Sequence, residues 1–113
     1  MTRPLFAALA GAFAFTFAAA PAPAQPAPAA VIVKIGNFTF GPQAITVAAG
    51  TTVTWINQDD IPHTVVSDDR TSFRSKVLDT GDRFSFTFAR PGSFGYFCSI
   101  HPHMVGKVVV KPR

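Results

Sequence analysis

The sequence reads as one all-β domain, a sandwich or small barrel, and three observations predict it. From Val31 onward apolar residues recur with period two, Gly and Pro turn signals come at short intervals, and no long window sustains a helical repeat. Length sets the same limit, because 113 residues hold one compact core and the 48% apolar content excludes a wholly disordered chain. Short strands this rich in aromatic residues need two packed sheets or a closed barrel to bury them, rather than a meander with one bare face.

The first segment reads as an export signal. Met1 to Pro4 carries one charge, Arg3, and Leu5 to Ala20 follows with Thr16 as its single polar side chain. As a helix that run would reach about 24 Å, short of the ~20 residues that a membrane crossing needs. Ala22-Pro23-Ala24 then supplies an A-x-A-like cleavage site. The expected division is residues 1–24 as a cleaved signal peptide, 25–30 as a Pro/Ala-rich N-terminal tether, and 31–113 as the folded domain. Export to the periplasm follows, with no membrane attachment after cleavage.

Val31 to Ile35 predicts the first strand, and Ala44 to Val47 the second, after the turn signal Gly41-Pro42. Thr51 to Asn57 puts Val53 and Trp55 on one face and Thr52 and Thr54 on the other. Phe84, Phe86 and Phe88 alternate with Arg83, Ser85 and Thr87, the pattern of a half-buried strand. Phe94 to Cys98 and Gly106 to Val110 complete the set. Trp55 and the three alternating Phe residues are expected to form core.

The net charge of +4 does not indicate a nucleic-acid partner. Beyond residues 1–24 the basic residues are scattered from Lys34 to Arg113 and form no basic-aromatic stripe. The lone Cys98 excludes an internal disulfide and any site built on two thiolates.

The potential ligands crowd into two places. One is His63, after Asp59-Asp60-Ile61-Pro62; the other is the loop Cys98-Ser99-Ile100-His101-Pro102-His103-Met104. A thiolate, two imidazoles and a thioether make up a blue-copper donor set, two His and one Cys roughly trigonal with Met weakly axial. Cys98, His101 and Met104 can all turn inward from one tight loop, leaving His63 to arrive from a separate strand. Zinc would ordinarily take two or more Cys, or three His or carboxylate ligands plus water. Asp59 and Asp60 lie in a turn, where adjacent acids generally face solvent.

Val53-Thr54-Trp55-Ile56-Asn57, Ile61-Pro62-His63 and Tyr96 to Val110 together resemble the cupredoxins, the type 1 blue copper proteins, and within them the amicyanins. The likeness runs from about Val31 to the end. The loop reads Cys-x-x-His-x-x-Met, the short amicyanin-type spacing; the longer spacings of other cupredoxins would put the axial residue at Gly106 or Lys107, and neither side chain can serve.

The resemblance implies a cupredoxin-like Greek-key β-sandwich with one type 1 copper, held by His63, Cys98 and His101 with Met104 axial. It implies that Asn57 ties the His63 strand to the Cys98 loop by hydrogen bonds near Ser99. It also implies an apolar docking patch around His101, at Ile61, Pro62 and Pro102. His103 departs from the family, which carries an apolar residue there, and puts a titratable group in that patch. The implied activity is single-electron transfer in a monomer that is not itself an enzyme, between redox proteins such as an amine dehydrogenase and a c-type cytochrome. The other reading is a copper-binding or delivery protein with no electron-transfer role.

Overall fold

The computed structural model describes Thr2, Pro4, residues 10–16 and residues 30–113. The cleavage site after Ala24 and nearly all of the tether lie outside the described residues. Residues 10–16 carry no regular secondary structure, and among the described residues no helix is long and apolar enough to cross a membrane.

The domain is built from strands alone: β1 (Val31–Gly36), β2 (Thr39–Gly41), β3 (Ala44–Ala48), β4 (Thr51–Asn57), β5 (Val66–Ser67), β6 (Arg83–Phe88), β7 (Gly92–Phe97) and β8 (Val105–Lys111). They form two four-stranded sheets, β2-β1-β4-β6 and β3-β8-β7-β5. This is the expected all-β sandwich. The period-two pattern locates six of the strands. It misses β2 and β5, which are too short to show a period, and it starts β7 two residues late. Cys98 falls just past the end of β7, at the mouth of the loop rather than within the strand.

Two of the pairings are parallel, β1 with β4 and β3 with β8, and each joins strands that are not neighbours in sequence. The inner faces meet over Val33, Ile35, Val53, Trp55, Phe88, Tyr96 and Val108, all almost without solvent exposure. Trp55 sits at the centre, stacked on Phe73 at 5.9 Å and edge-on to Tyr96 at 5.3 Å. Phe88 is buried as expected, but Phe84 and Phe86 are only half-buried, because β6 is the edge strand of its sheet. On the outer face Thr52 hydrogen-bonds Thr87 at 2.8 Å and Thr54 hydrogen-bonds Ser85 at 2.7 Å, cross-strand pairs that fix the register of β4 against β6.

The hairpin joining β1 to β2 has Asn37 at φ 49° and Phe38 at φ 59°. Two positive φ values in succession suit a tight hairpin turn, where Asn and Gly are the inexpensive residues. Asn37 fits that preference. A phenylalanine in the left-handed region costs roughly 1–2 kcal/mol.

Candidate metal centre

One end of the sandwich gathers the candidate ligands, and hydrogen bonds to the backbone fix where each one sits. Asn57 closes β4 with its side chain fully buried. Its Nδ2 donates to the carbonyls of Ile61 and Leu78, both at 2.9 Å, and its Oδ1 accepts from the Asp59 N–H at 2.9 Å. These bonds shape the turn that leads into His63. His63 is then clamped to Leu78 by a reciprocal backbone pair, at 3.0 and 2.8 Å. It belongs to an isolated bridge rather than to a continuous strand.

The imidazole of His63 is fully buried, and its Nε2 lies 2.9 Å from Asp59 Oδ2. That contact leaves Nδ1 free to face inward, which is how a carboxylate sets the tautomer of a ligating histidine. Asp59 therefore does not simply face solvent, as its turn position suggests. The imidazole beside it holds its carboxyl below the usual carboxylate range, as do the N–H groups of Phe38 and Asp60.

The loop after β7 folds back on itself. The Cys98 N–H donates to the Met104 carbonyl at 3.0 Å, and the Met104 N–H donates to the His101 carbonyl at 2.9 Å. Cys98 Sγ then stands 3.8 Å from His63 Nδ1 and 3.7 Å from His101 Nδ1. The three donor atoms lie within 4.8 Å of one another, with Cys98 and His63 buried and His101 half-buried. Met104 is buried in the same loop.

Burial pushes the Cys98 thiol up, but the Thr64 N–H together with His63 and His101 outweighs it and brings the thiol down to about 6. A thiol lowered in this way is readily deprotonated and suited to bind a soft cation. Bonds of about 2.1 Å to nitrogen and 2.3 Å to sulfur put the donor atoms about 3.8 Å apart when they open at 120°, against about 3.6 Å at a tetrahedral angle. The observed spacings of 3.7 and 3.8 Å suit one ion held by the sulfur and both imidazoles. A thiolate, two imidazoles and a thioether are the donor set of blue copper.

The tie between the His63 segment and the Cys98 loop differs from the expected one. The hydrogen bonds of Asn57 go to Ile61, Leu78 and Asp59, and Ser99 is bound by Thr64 instead. Thr64 Oγ1 accepts from the Ser99 N–H at 2.7 Å and shares a 2.7 Å bond with the Ser99 hydroxyl. The Thr64 N–H also points at Cys98 Sγ, at 3.4 Å. No sequence signal marks Thr64 for this role; the folded chain brings it against the Ser99 loop.

Around the mouth, Phe38, Ile100, His101, Pro102, His103 and Met104 line a shallow, mostly apolar depression. Pro102 and His103 are exposed there, while Pro62 is exposed and Ile61 half-buried on the His63 side. Phe38 comes from the β1–β2 hairpin, far from either ligand cluster in sequence, and no local motif signals it.

The chain belongs to the cupredoxin-like family, whose domain model matches residues 5–110. Over 88 residues it is 36% identical to an amicyanin of Paracoccus versutus, an alignment covering 73% of this chain and 65% of the amicyanin. The chain thus spans just under two thirds of that relative. It is also 36% identical over 83 residues to amicyanin-alpha of Methylorubrum extorquens, covering 70% of each. Among solved structures, a purple cupredoxin of Nitrosopumilus maritimus superposes with a TM-score of 0.69 at 36% identity, covering 72% of this chain and 99% of that one.

Proposed function

We propose that the protein carries single electrons between redox proteins through one type 1 copper, which His63, Cys98, His101 and Met104 would hold. The observation that carries this reading is the triangle of donors, with Cys98 Sγ 3.7 and 3.8 Å from the two Nδ1 atoms. Copper bound there supplies a one-electron couple. The chain supplies fixed geometry: Asp59 orients His63, the Asn57 bonds hold the turn before it, and Thr64 holds Ser99 and donates toward the sulfur. Ligands held by such a frame move little between oxidation states, which favours fast transfer.

Four protein donors leave no position for a substrate, so the protein acts as a carrier and not as an enzyme. His101 is the half-exposed ligand, and partners approach it over Ile61, Pro62, Pro102 and His103. The likeness to amicyanins supports an amine dehydrogenase as donor and a c-type cytochrome as acceptor. It also supports a periplasmic monomer, exported on residues 1–24 and released behind the 25–30 tether, with 31–113 as the working domain.

A visible spectrum of the purified protein with one equivalent of Cu(II) tests the reading. An intense blue band that bleaches with ascorbate and returns on reoxidation is expected. Bound copper without that band removes Cys98 from the ligand set and leaves copper delivery as the function.

A further inference from the structure

The residue at the tip of the β1–β2 hairpin is ill suited to its backbone. Phe38 holds φ 59°, where Gly or Asn would sit with less strain, and its side chain is 52% exposed. Neither turn chemistry nor core packing accounts for a large aromatic ring there. A residue kept in a sparsely populated conformation points to a role in a site.

The ring is directed at the ligands. Its centroid lies 5.1 Å from that of His101 at an interplanar angle of 87°, and 5.8 Å from that of His63 at 89°. Both are edge-to-face contacts, the favoured geometry for aromatic pairs. The two imidazoles are themselves 5.0 Å apart, so the three rings form one cluster. The hairpin tip is also tied to the site through its backbone. The Phe38 N–H donates to Asp59 Oδ2 at 3.3 Å, and the same oxygen lies 2.9 Å from His63 Nε2. One carboxylate oxygen thus holds both a ligand and the hairpin that covers it. Thr39 Oγ1 donates to the Gly36 carbonyl at 2.8 Å and braces the turn from within.

We propose that Phe38 is a positioning residue of the metal centre: its ring, set edge-on against both imidazoles, fixes their planes and keeps water from the mouth of the site. The strain in the turn is retained because a small residue there would leave His101, the half-exposed ligand, free to tilt. This inference rests on the electron-carrier reading for its significance, but the ring contacts exist without metal and can be tested without it.

The experiment compares the full-length protein with Phe38→Gly and Phe38→Tyr, each copper-free and copper-loaded. In the copper-free Phe38→Gly protein the ring-proton NMR signals of His63 and His101 are expected to broaden or split, while the unfolding temperature is at least that of the parent because strain is relieved. Copper-loaded, the same variant is expected to show a lower reduction potential and a faster relaxation of water protons by Cu(II), since admitted water favours the more highly charged oxidised site. Phe38→Tyr, which keeps the ring, should match the parent in every measurement. The inference is overturned if Phe38→Gly leaves the histidine signals and the potential unchanged. It is equally overturned if the copper-free variant unfolds at a lower temperature, which would make Phe38 a packing residue of the hairpin. A parent protein that shows no blue band sinks the electron-carrier reading instead, and the copper-free histidine signals still decide the role of Phe38.

Discussion

Thr64 stands beside His63 in sequence and against the Cys98 loop in space, and its buried hydroxyl is the acceptor for the Ser99 N–H. Removing that acceptor while keeping the shape leaves the amide without its partner, so Thr64→Val is expected to cost about 1–2 kcal/mol. Urea unfolding of the copper-free protein measures it, and Thr64→Ser should recover most of the loss. The four candidate ligands were legible because chemistry and spacing coincide in one short stretch, Cys98 to Met104, with His63 the remaining histidine. Thr64, Asp59 and Phe38 were not. A threonine, an aspartate in a turn and a hairpin phenylalanine are common in any sandwich, and only the folded backbone brings them to one place.

Among the elements, the turn after β5 is organised by a single carboxylate. Asp69 accepts from the Ser67 hydroxyl at 2.6 Å, from the Thr71 and Ser72 N–H groups at 2.9 and 2.8 Å, and from the Ser72 hydroxyl. The Ser67 and Ser72 hydroxyls, followed by the two amides, hold its carboxyl far below the ordinary value of 3.8. A folded-state value below the unfolded one stabilises the fold above pH 3.8, and the contribution disappears as acid protonates the carboxylate. Asp69→Ala is therefore expected to unfold at a lower temperature than the parent at neutral pH. The gap between their melting curves should narrow as pH falls below that value. This turn and the two-residue β5 escaped the sequence reading together: hydrophobic period needs length, and here local hydrogen bonds do the ordering. The long amphipathic strands were legible for the converse reason, since Val53, Trp55 and the β6 phenylalanines alternate over six or seven residues.

Across the whole molecule, the sheet carrying the Cys98 loop depends on a missing side chain. Gly106 of β8 stands in register with Tyr96 of β7. A Cβ at position 106 would fall within the Tyr96 ring. Burial pushes the Tyr96 phenol up to about 12, and the same ring packs on Phe40 and Trp55, so it has nowhere to retreat. Gly106→Ala is expected to destabilise the protein by about 3 kcal/mol, at or beyond the upper end of overpacking costs. Denaturant unfolding of the copper-free form measures it. Which strands pair in parallel could not be read from periodicity, because alternation assigns residues to faces and says nothing about neighbours. The order β3-β8-β7-β5 is a matter of which backbone edges hydrogen-bond in the assembled sandwich.

The back-folded loop from Cys98 to Met104 also shapes what happens when the protein is not folded. Its thiol, imidazole and thioether are neighbours along the chain, so an unfolded molecule can still capture an ion with most of the same donors. His63 alone must be brought in from 35 residues away. Metal that also binds the unfolded chain stabilises the native state by only the difference between the two affinities. The thermodynamic reward for folding around the ion therefore falls mainly to His63 and the Asp59, Asn57 and Leu78 contacts that hold it, and the loop contributes affinity to both states alike.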